Sequence, residues 1–325
     1  MKLVILECYV FEDGDLDWSG VRALPGVDEV VTYVRTGQRD TQEIAQRIGD
    51  AELVILNKCR IDQTVLDACP NLKWVGIVAT GTDNLDLDAC RRRGVAVANV
   101  PGYSTYSVAQ MAFSLLLSVC QCAARYDRAV QAGYWQLGIP AEYGILPQVE
   151  LCGKTLGIFG YGAIGRAAAK MGQGFGMKVI CHTRTVRPEY AADGVEFVSF
   201  EELLARSDVI SLHTPATPAT RGVFNAAALA QMKPGAVLVN TARGALVDEE
   251  AVAAACRAGT LGFYATDVLT KEPITPDCPL LGIPNVLISP HVAWTTAEAL
   301  KRLAAITTRN LQSWLEGCGQ NVVNA

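Results

Sequence analysis

The stretch KTLGIFGYGAIG, residues 154–165, decides how this chain is read. Its apolar run Leu156 to Phe159 has the length of a short buried strand and leads directly into Gly160-Tyr161-Gly162-Ala163-Ile164-Gly165. A helix-like segment, RAAAKMGQGFG, follows at once, and a second apolar run occupies Met177 to Cys181. Strand, glycine turn, helix and strand in that order form the context in which GxGxxG signals a dinucleotide-binding turn. Gly160 would make the turn. Gly162 would let a pyrophosphate approach the backbone, and Gly165 would let helix and strand pack closely. The unpaired N–H groups at the start of the helix would carry the diphosphate charge.

Working outward, the chain of 325 residues is long enough for two domains with separate cores. Half of it is apolar and 19% is charged, the composition of a compact globular protein. The net charge is -5 and the longest basic run is Arg91-Arg92-Arg93, which reads as favourable charge at a helix C-terminus. Nucleic-acid and membrane-surface partners need a basic field and are therefore not expected. The eleven cysteines are odd in number and lack a CxxC pair, and no secretory pattern is read at the N-terminus. They read as reduced thiols of a cytoplasmic protein. With His only at 182, 213 and 291, no metal site is expected. The apolar run Met111 to Val119 is too short to span a bilayer.

Residues 2–100 alternate β-like runs (3–6, 30–34, 53–56, 74–79, 95–98) with helix-like stretches (41–48, 62–68, 86–93), the last two opened by the capping aspartates Asp62 and Asp86. Such alternation specifies a parallel sheet covered on both faces, an α/β domain. Asn99-Val100-Pro101-Gly102 interrupts it, and Ser104 to about Arg125 reads as one long, nearly all-round apolar helix. Residues 133–150 lack periodicity and read as a long loop of functional or interface character. A second α/β domain begins near 151, with strands expected at 155–159, 177–181, 208–212, 236–240, 261–265 and 285–288. Helices are expected at 201–205 and 247–257, and a last one at about 297–315 that either domain could hold.

Several polar residues fall where strands of the second domain end, the edge that faces the ligand crevice of a doubly wound sheet: Arg243, Asp267, Glu272 and His291. Taken singly, Arg243 could be a surface charge, Glu272 a solvated carboxylate and His291 a satisfied core histidine. Taken together they match the needs of hydride chemistry on an α-keto acid. Arg243 offers a bidentate fork for a carboxylate, and His291 can donate a proton to a developing alkoxide. A carboxylate at Glu272 would orient that imidazole and favour its protonated form.

Over essentially its whole length the chain resembles the D-isomer-specific 2-hydroxyacid dehydrogenases, and within them the glycerate dehydrogenase or hydroxypyruvate reductase group. The likeness is carried by NK at 57–58, ATG at 79–81, NVPGYSTYSVAQ at 99–110, the glycine motif, ELLARSDVISLHTPATPATRG at 202–222, MKPGAVLVNTARGALVDEEAV at 232–252, TDVLTKEP at 266–273 and SPHVAW at 289–294. The resemblance implies two Rossmann-like or flavodoxin-like α/β domains. A substrate-binding domain would come from 1–100 and 291–325, and an inserted nucleotide-binding domain from 101–290. The helix at 104–125 would cross between lobes and help form a homodimer. It implies Arg243 as substrate-carboxylate ligand, His291 as acid/base and Glu272 as its partner, with Thr80 and Gly81 offering backbone N–H groups and Asn57 and Trp294 touching substrate. Cofactor contacts would come from Gly160, Tyr161, Gly162, Ala163, Ile164, Gly165, Thr183, Arg184, His213, Thr214, Pro215, Thr220, Thr241, Ala242, Arg243, Asp267, His291 and Ala293. The expected reaction is hydride transfer between NAD(P)H and a small 2-keto acid, hydroxypyruvate or glyoxylate, giving D-glycerate or glycolate. Rival readings are a lactate- or phosphoglycerate-type dehydrogenase and a non-catalytic NAD(P)-sensing protein.

One position departs from the common pattern. NAD sites usually carry an acid after the second strand for the ribose 2′-hydroxyl. Here that place holds Thr183 followed by Arg184, with Arg187 close by. Losing the carboxylate removes the repulsion of a 2′-phosphate, so NADP(H) is favoured slightly over NAD(H). The plainer alternative makes Thr183 a ribose hydrogen-bonder and leaves the arginines in water.

Overall fold

The computed structural model describes residues 1–7, 16–133, 135 and 148–325. Most of the loop expected at 133–150, namely 134 and 136–147, lies outside the described residues. The chain divides into two compact units, Met1–Ser104 with Thr295–Ala325, and Thr105–Trp294.

The first unit holds β1 (Lys2–Ile5), α1 (Ser19–Arg22), β2 (Glu29–Thr32), α2 (Thr41–Ile48), β3 (Leu53–Leu56), α3 (Gln63–Ala68), β4 (Trp74–Ile77), α4 (Leu87–Arg92) and β5 (Ala96–Ala98). Its parallel strands are ordered β2-β1-β3-β4-β5, a flavodoxin-like winding that reverses between β1 and β3. The central strands β3 and β4 are buried along their whole length, which is why they read as unbroken apolar runs rather than alternations. Aspartate side chains cap three of the helices. Asp40 accepts from Glu43 N, Asp62 from Thr64 N and Val65 N, and Asp86 from Ala89 N, each contact being worth about 1 kcal/mol. The C-terminal tail covers the outer edge of β5, where Asn324 accepts from Val97 N and donates to Val95 O.

The second unit opens with α5 (Thr105–Gln121) and α6 (Ala123–Gln131). There follow β6 (Thr155–Phe159), α7 (Ala163–Gly174), β7 (Lys178–His182), β8 (Glu196–Phe197), α8 (Phe200–Arg206), β9 (Val209–Leu212), α9 (Ala226–Leu229), β10 (Ala236–Asn240), α10 (Glu249–Ala258), β11 (Leu261–Thr266) and β12 (Val286–Ile288). The last helix, α11 (Ala297–Leu315), returns to the first unit and packs on α1 and β4. Seven parallel strands run β12-β11-β10-β9-β6-β7-β8, so the order reverses between β6 and β9. The pleat sends Leu156, Ile158, Val179 and Val237 to a core shared with α5 and α7, and Ile180, Ile210 and Leu238 to the opposite core. The second unit keeps residues 291–294, which the sequence reading put beyond the boundary at 290, because Asp267 and Ser107 tie them down.

The expected single helix over 104–125 is two. Cys122 adopts φ +54° and the axis bends by 56° between α5 and α6. The chain returning at 148–149 supplies the reason: Val149 N donates to Cys120 O, Gln148 to Gln121 O, and Gln121 back to Val149 O. Those bonds satisfy the carbonyls that a continuing helix would have used. Among the described residues no single helix is long and apolar enough to cross a membrane, and the apolar face of α5 is buried against α7, β10 and β11. The sequence reading had no β8, α1 or α9, all four residues or fewer and below the length at which periodicity can be read.

Candidate active site

The glycine turn lies at the C-terminal end of β6, beside the end of β9, where the strand order reverses. Gly160 has φ +99°, and a Cβ there would come within 2.8 Å of the His213 backbone. A Cβ at Gly165 would meet the Gly160 carbonyl at 2.1 Å, so helix and turn pack too closely for any side chain. Gly162 is different. It is the N-cap of α7, no side chain caps the helix, and nothing lies within 4 Å of where its Cβ would be. The N–H groups from Gly162 to Ile164 are thereby left open for an anion.

Two buried polar atoms beside this turn have no partner among the described residues: His213 Nδ1 after β9 and Thr241 Oγ1 after β10. With the uncapped helix, these unsatisfied donors and acceptors fit a polar dinucleotide laid along the strand ends. Burial pushes the His213 imidazole down to about 4. In the unfolded chain it would titrate near 6.5. Its stabilisation is therefore complete above about pH 6.5 and is lost as pH falls toward 4, by about 3–4 kcal/mol in all. Urea midpoints measured at pH 7 and 4.5 should fall further in the wild type than in His213→Asn. An equal fall in both would remove His213 as the source.

Several other residues named from the sequence make bonds within the protein. The Tyr161 side chain is 2% exposed and donates its hydroxyl to Asp193, leaving only its backbone for a ligand. Thr220 Oγ1 closes its own turn through Pro215 O and Thr217 N, with Thr214 and Pro215 on the way. Thr183 is half-buried and Arg184 exposed just past β7. Ala293 gives its N–H to Asp267, and its carbonyl accepts from Ser107 Oγ at 2.5 Å.

Arg243, Glu272 and His291 follow the consecutive neighbouring strands β10, β11 and β12. Asn240, wholly buried, staples the first turn by accepting from Ala242 N and donating to Arg243 O. The Arg243 guanidinium donates to Ala242 O at 2.8 Å. Gly244 packs so tightly on Leu269 and Thr270 that a Cβ would lie 2.0 Å from the Leu269 carbonyl carbon. Leu269 N donates to Glu272 Oε1, and Glu272 Oε2 lies 2.6 Å from His291 Nδ1. Strand order and these contacts thus bring the three residues together on one edge of the sheet. Engaging Nδ1 assigns proton exchange with a ligand to Nε2.

His291 has φ +57°, a left-handed conformation that costs a non-glycine residue about 1–2 kcal/mol. Its loop is braced accordingly. His291 N donates to Ser289 O, and the Trp294 indole donates to His291 O. Asp267, 1% exposed, accepts from Ser289 Oγ, Val292 N and Ala293 N. Asp267, named from the sequence among the cofactor contacts, has its oxygens bonded to the histidine loop. Asn240, Ser107 and Ser289 were not named from the sequence; an asparagine closing the apolar run AVLVN was the one available signal.

In the first unit, Asn57 and Lys58 follow β3 at the point where that strand order reverses. The Glu7 carboxylate accepts from Asn57 N, Lys58 N and Cys59 N, and Asn84 donates to the carbonyls of Asn57 and Cys59. Thr80 spends its hydroxyl on Val100 O and its carbonyl on Asn99, which fixes the backbone that leads to Gly81.

Residues 113–293 match the family described as D-isomer specific 2-hydroxyacid dehydrogenase, NAD binding domain. The chain is 40% identical to a hydroxypyruvate reductase of Blautia hydrogenotrophica, over 100% of both chains. It is 37% identical to a glycerate dehydrogenase of Methylorubrum extorquens, covering 87% of this chain and 89% of the relative. A crystal structure of a Thermus thermophilus protein superposes with a TM-score of 0.87 at 36% identity, covering 99% of this chain and 100% of that one. The chain belongs to the D-isomer-specific 2-hydroxyacid dehydrogenase family, whose fold it shares, and it is a nicotinamide-dependent oxidoreductase of small 2-keto acids.

Proposed function

We propose that the protein reduces hydroxypyruvate and glyoxylate to D-glycerate and glycolate, with the second unit binding the nucleotide and the first binding substrate. The observation that carries this reading is the His291–Glu272 couple at 2.6 Å on a braced loop, one strand-end away from the turn that holds Arg243. Arg243 grips the substrate carboxylate with its planar fork. His291 Nε2 gives a proton to the C2 oxygen, while Glu272 holds Nδ1 and steadies the imidazolium. A bound reduced nicotinamide supplies the hydride to C2. The uncapped start of α7 takes the diphosphate, with His213 and Thr241 as polar partners along the strand ends. In the first unit we assign substrate contacts to the backbone N–H groups of Thr80 and Gly81 and to Asn57, and in the second to Trp294. Turnover of hydroxypyruvate, glyoxylate, pyruvate and phosphohydroxypyruvate, followed at the nicotinamide absorbance, tests the assignment. A kcat/KM for pyruvate or the phosphorylated acid above that for both proposed substrates would overturn it.

Thr183 and Arg184 support NADP(H) over NAD(H), because no acid follows β7 to repel a 2′-phosphate and an exposed guanidinium stands next in line. Arg184→Ala is expected to weaken NADPH roughly 10- to 100-fold relative to NADH. The test is the ratio of kcat/KM for the two cofactors, at one ionic strength since exposed charges are screened. A wild-type ratio well below one, unmoved by the substitution, would leave Thr183 as a ribose hydrogen-bonder in an NAD enzyme. Exposed Tyr106, Val130 and Trp135 along α5, α6 and the residues that follow support a homodimer, and the many buried thiols support a reducing, cytoplasmic setting.

A further inference from the structure

The segment that carries Thr183 and Arg184 leaves the sheet at His182 and returns to it at Glu196, with a 3-10 turn from Pro188 to Asp193 between. Its start is fixed by the β6–β7 ladder. Its far end is fixed by one carboxylate. Asp193 accepts from Arg166 Nε at 2.8 Å, from Arg166 Nη2 at 3.1 Å and from the Tyr161 hydroxyl at 3.0 Å. Gln173 on α7 adds bonds to the carbonyls of Asp193 and Gly194. The donors on this carboxylate come from the glycine motif itself: Tyr161 stands between Gly160 and Gly162, and Arg166 follows Gly165.

Aromatic packing closes the same joint. Tyr190 meets Tyr161 edge-on at 5.0 Å, Phe197 meets Tyr161 edge-on at 5.4 Å, and the Arg166 guanidinium lies 5.3 Å from the Tyr190 ring centre. The Asp193 side chain is 8% exposed against 36% for Arg166, so this is a partly shielded, bidentate pair rather than a loose surface contact. The Arg166 guanidinium, then the Tyr161 hydroxyl, hold the Asp193 carboxyl below the usual carboxylate range against the opposing effect of burial, which keeps it ionised at neutral pH.

We propose that Asp193 is a positioning residue that locks the diphosphate-binding glycine turn to the segment reading the cofactor's 2′ position, and so sets both dinucleotide affinity and the discrimination between NADPH and NADH. This rests on the dinucleotide reading of the glycine turn. The two subsites must stand at a fixed separation to hold one adenosine diphosphate moiety, and Asp193 is bonded to both sides of the joint. Its carboxylate is bonded to Tyr161 and Arg166. Its effect travels through Tyr161, Arg166 and the turn that ends at residue 193, as expected of a supporting shell.

The test is equilibrium binding of NADPH and NADH, by the fluorescence of the reduced nicotinamide, to wild type, Asp193→Asn and Tyr161→Phe. Steady-state kinetics on hydroxypyruvate and thermal melts accompany it. Asp193→Asn keeps shape and loses the charge of the clamp. It should raise Kd for both dinucleotides about 10-fold and narrow the NADPH-to-NADH ratio, with kcat at saturating cofactor and KM for the keto acid unchanged. Tyr161→Phe removes one hydroxyl and leaves the Arg166 pair, so a rise of about threefold is expected. A folded Asp193→Asn with wild-type Kd values, or one whose loss lies in kcat alone, overturns the proposal. If Asp193→Asn does not fold, Tyr161→Phe decides on the same terms. Wild-type protein that binds neither dinucleotide would overturn the dinucleotide reading and this inference together. Binding by the wild type that the variants leave untouched would overturn the inference alone.

Discussion

His291→Ala is expected to lower the rate of keto-acid reduction about 10²–10⁴-fold while leaving dinucleotide affinity within a few-fold of wild type. The expectation follows from placement. The imidazole follows β12, with Nδ1 2.6 Å from Glu272 and with its backbone pinned at both N–H and carbonyl. A methyl side chain keeps that backbone bracing, since none of it depends on the ring, and removes only the proton donor. Single-turnover reduction of hydroxypyruvate with pre-bound NADPH isolates the chemical step from product release. Glu272→Gln provides the companion measurement. It keeps the shape and can still engage Nδ1, so its loss should be smaller than that of the alanine variant. An unchanged single-turnover rate in His291→Ala would remove the residue as acid/base.

What the sequence could and could not reveal follows physical lines. Gly160 and Gly165 were readable because only glycine meets a backbone at 2.8 or 2.1 Å, so sterics leave a one-letter signature. The inner strands were readable for a similar reason: burial on both faces excludes polar residues, and β3 and β4 are buried along their lengths. Helix starts at Asp62 and Asp86 carried their caps in the sequence. The break at Cys122 had no such mark. Neither glycine nor proline stands there, and the carbonyls at the end of α5 are claimed by residues 148 and 149, far along the chain. Asp267 shows the same limit at the site. A carboxylate at a strand end looks alike in sequence whether or not it also meets three donors of its own loop, as this one does. Glu7 was missed because its partners, the N–H groups of residues 57–59, lie about fifty positions away and carry no side-chain signal.

The residues that brace the site share a feature. Asp267, Asn240 and Glu7 each hold a turn that carries a candidate site residue, and each does so through backbone atoms. Positioning by backbone bonds explains how the left-handed His291 is tolerated. Several donors and acceptors over-determine its loop, and the conformational cost is spread over these partly buried bonds.

Arg243→Lys, which retains the charge, is nonetheless expected to cost about 10²-fold or more in kcat/KM for 2-keto acids. The guanidinium is directed by two features that an ammonium cannot reproduce. One nitrogen, Nη1, donates to Ala242 O at 2.8 Å, which helps set the plane of the group, and a planar guanidinium can meet a carboxylate as a fork. Asn240 fixes the underlying turn from both sides, at Ala242 N and Arg243 O, so the backbone should survive the substitution. The loss should therefore appear in kcat/KM for keto acids and not in Kd for NADPH, because the proposed diphosphate site at the start of α7 makes no use of the side chain. Oxamate, a carboxylate with an amide where the keto acid has its substituent, offers a direct binding probe: its affinity for the binary complex should fall in parallel with kcat/KM. Equal kcat/KM and equal oxamate affinity in the lysine variant would mean that no bidentate contact is made, and would move the carboxylate clamp from Arg243 to the backbone at Thr80 and Gly81.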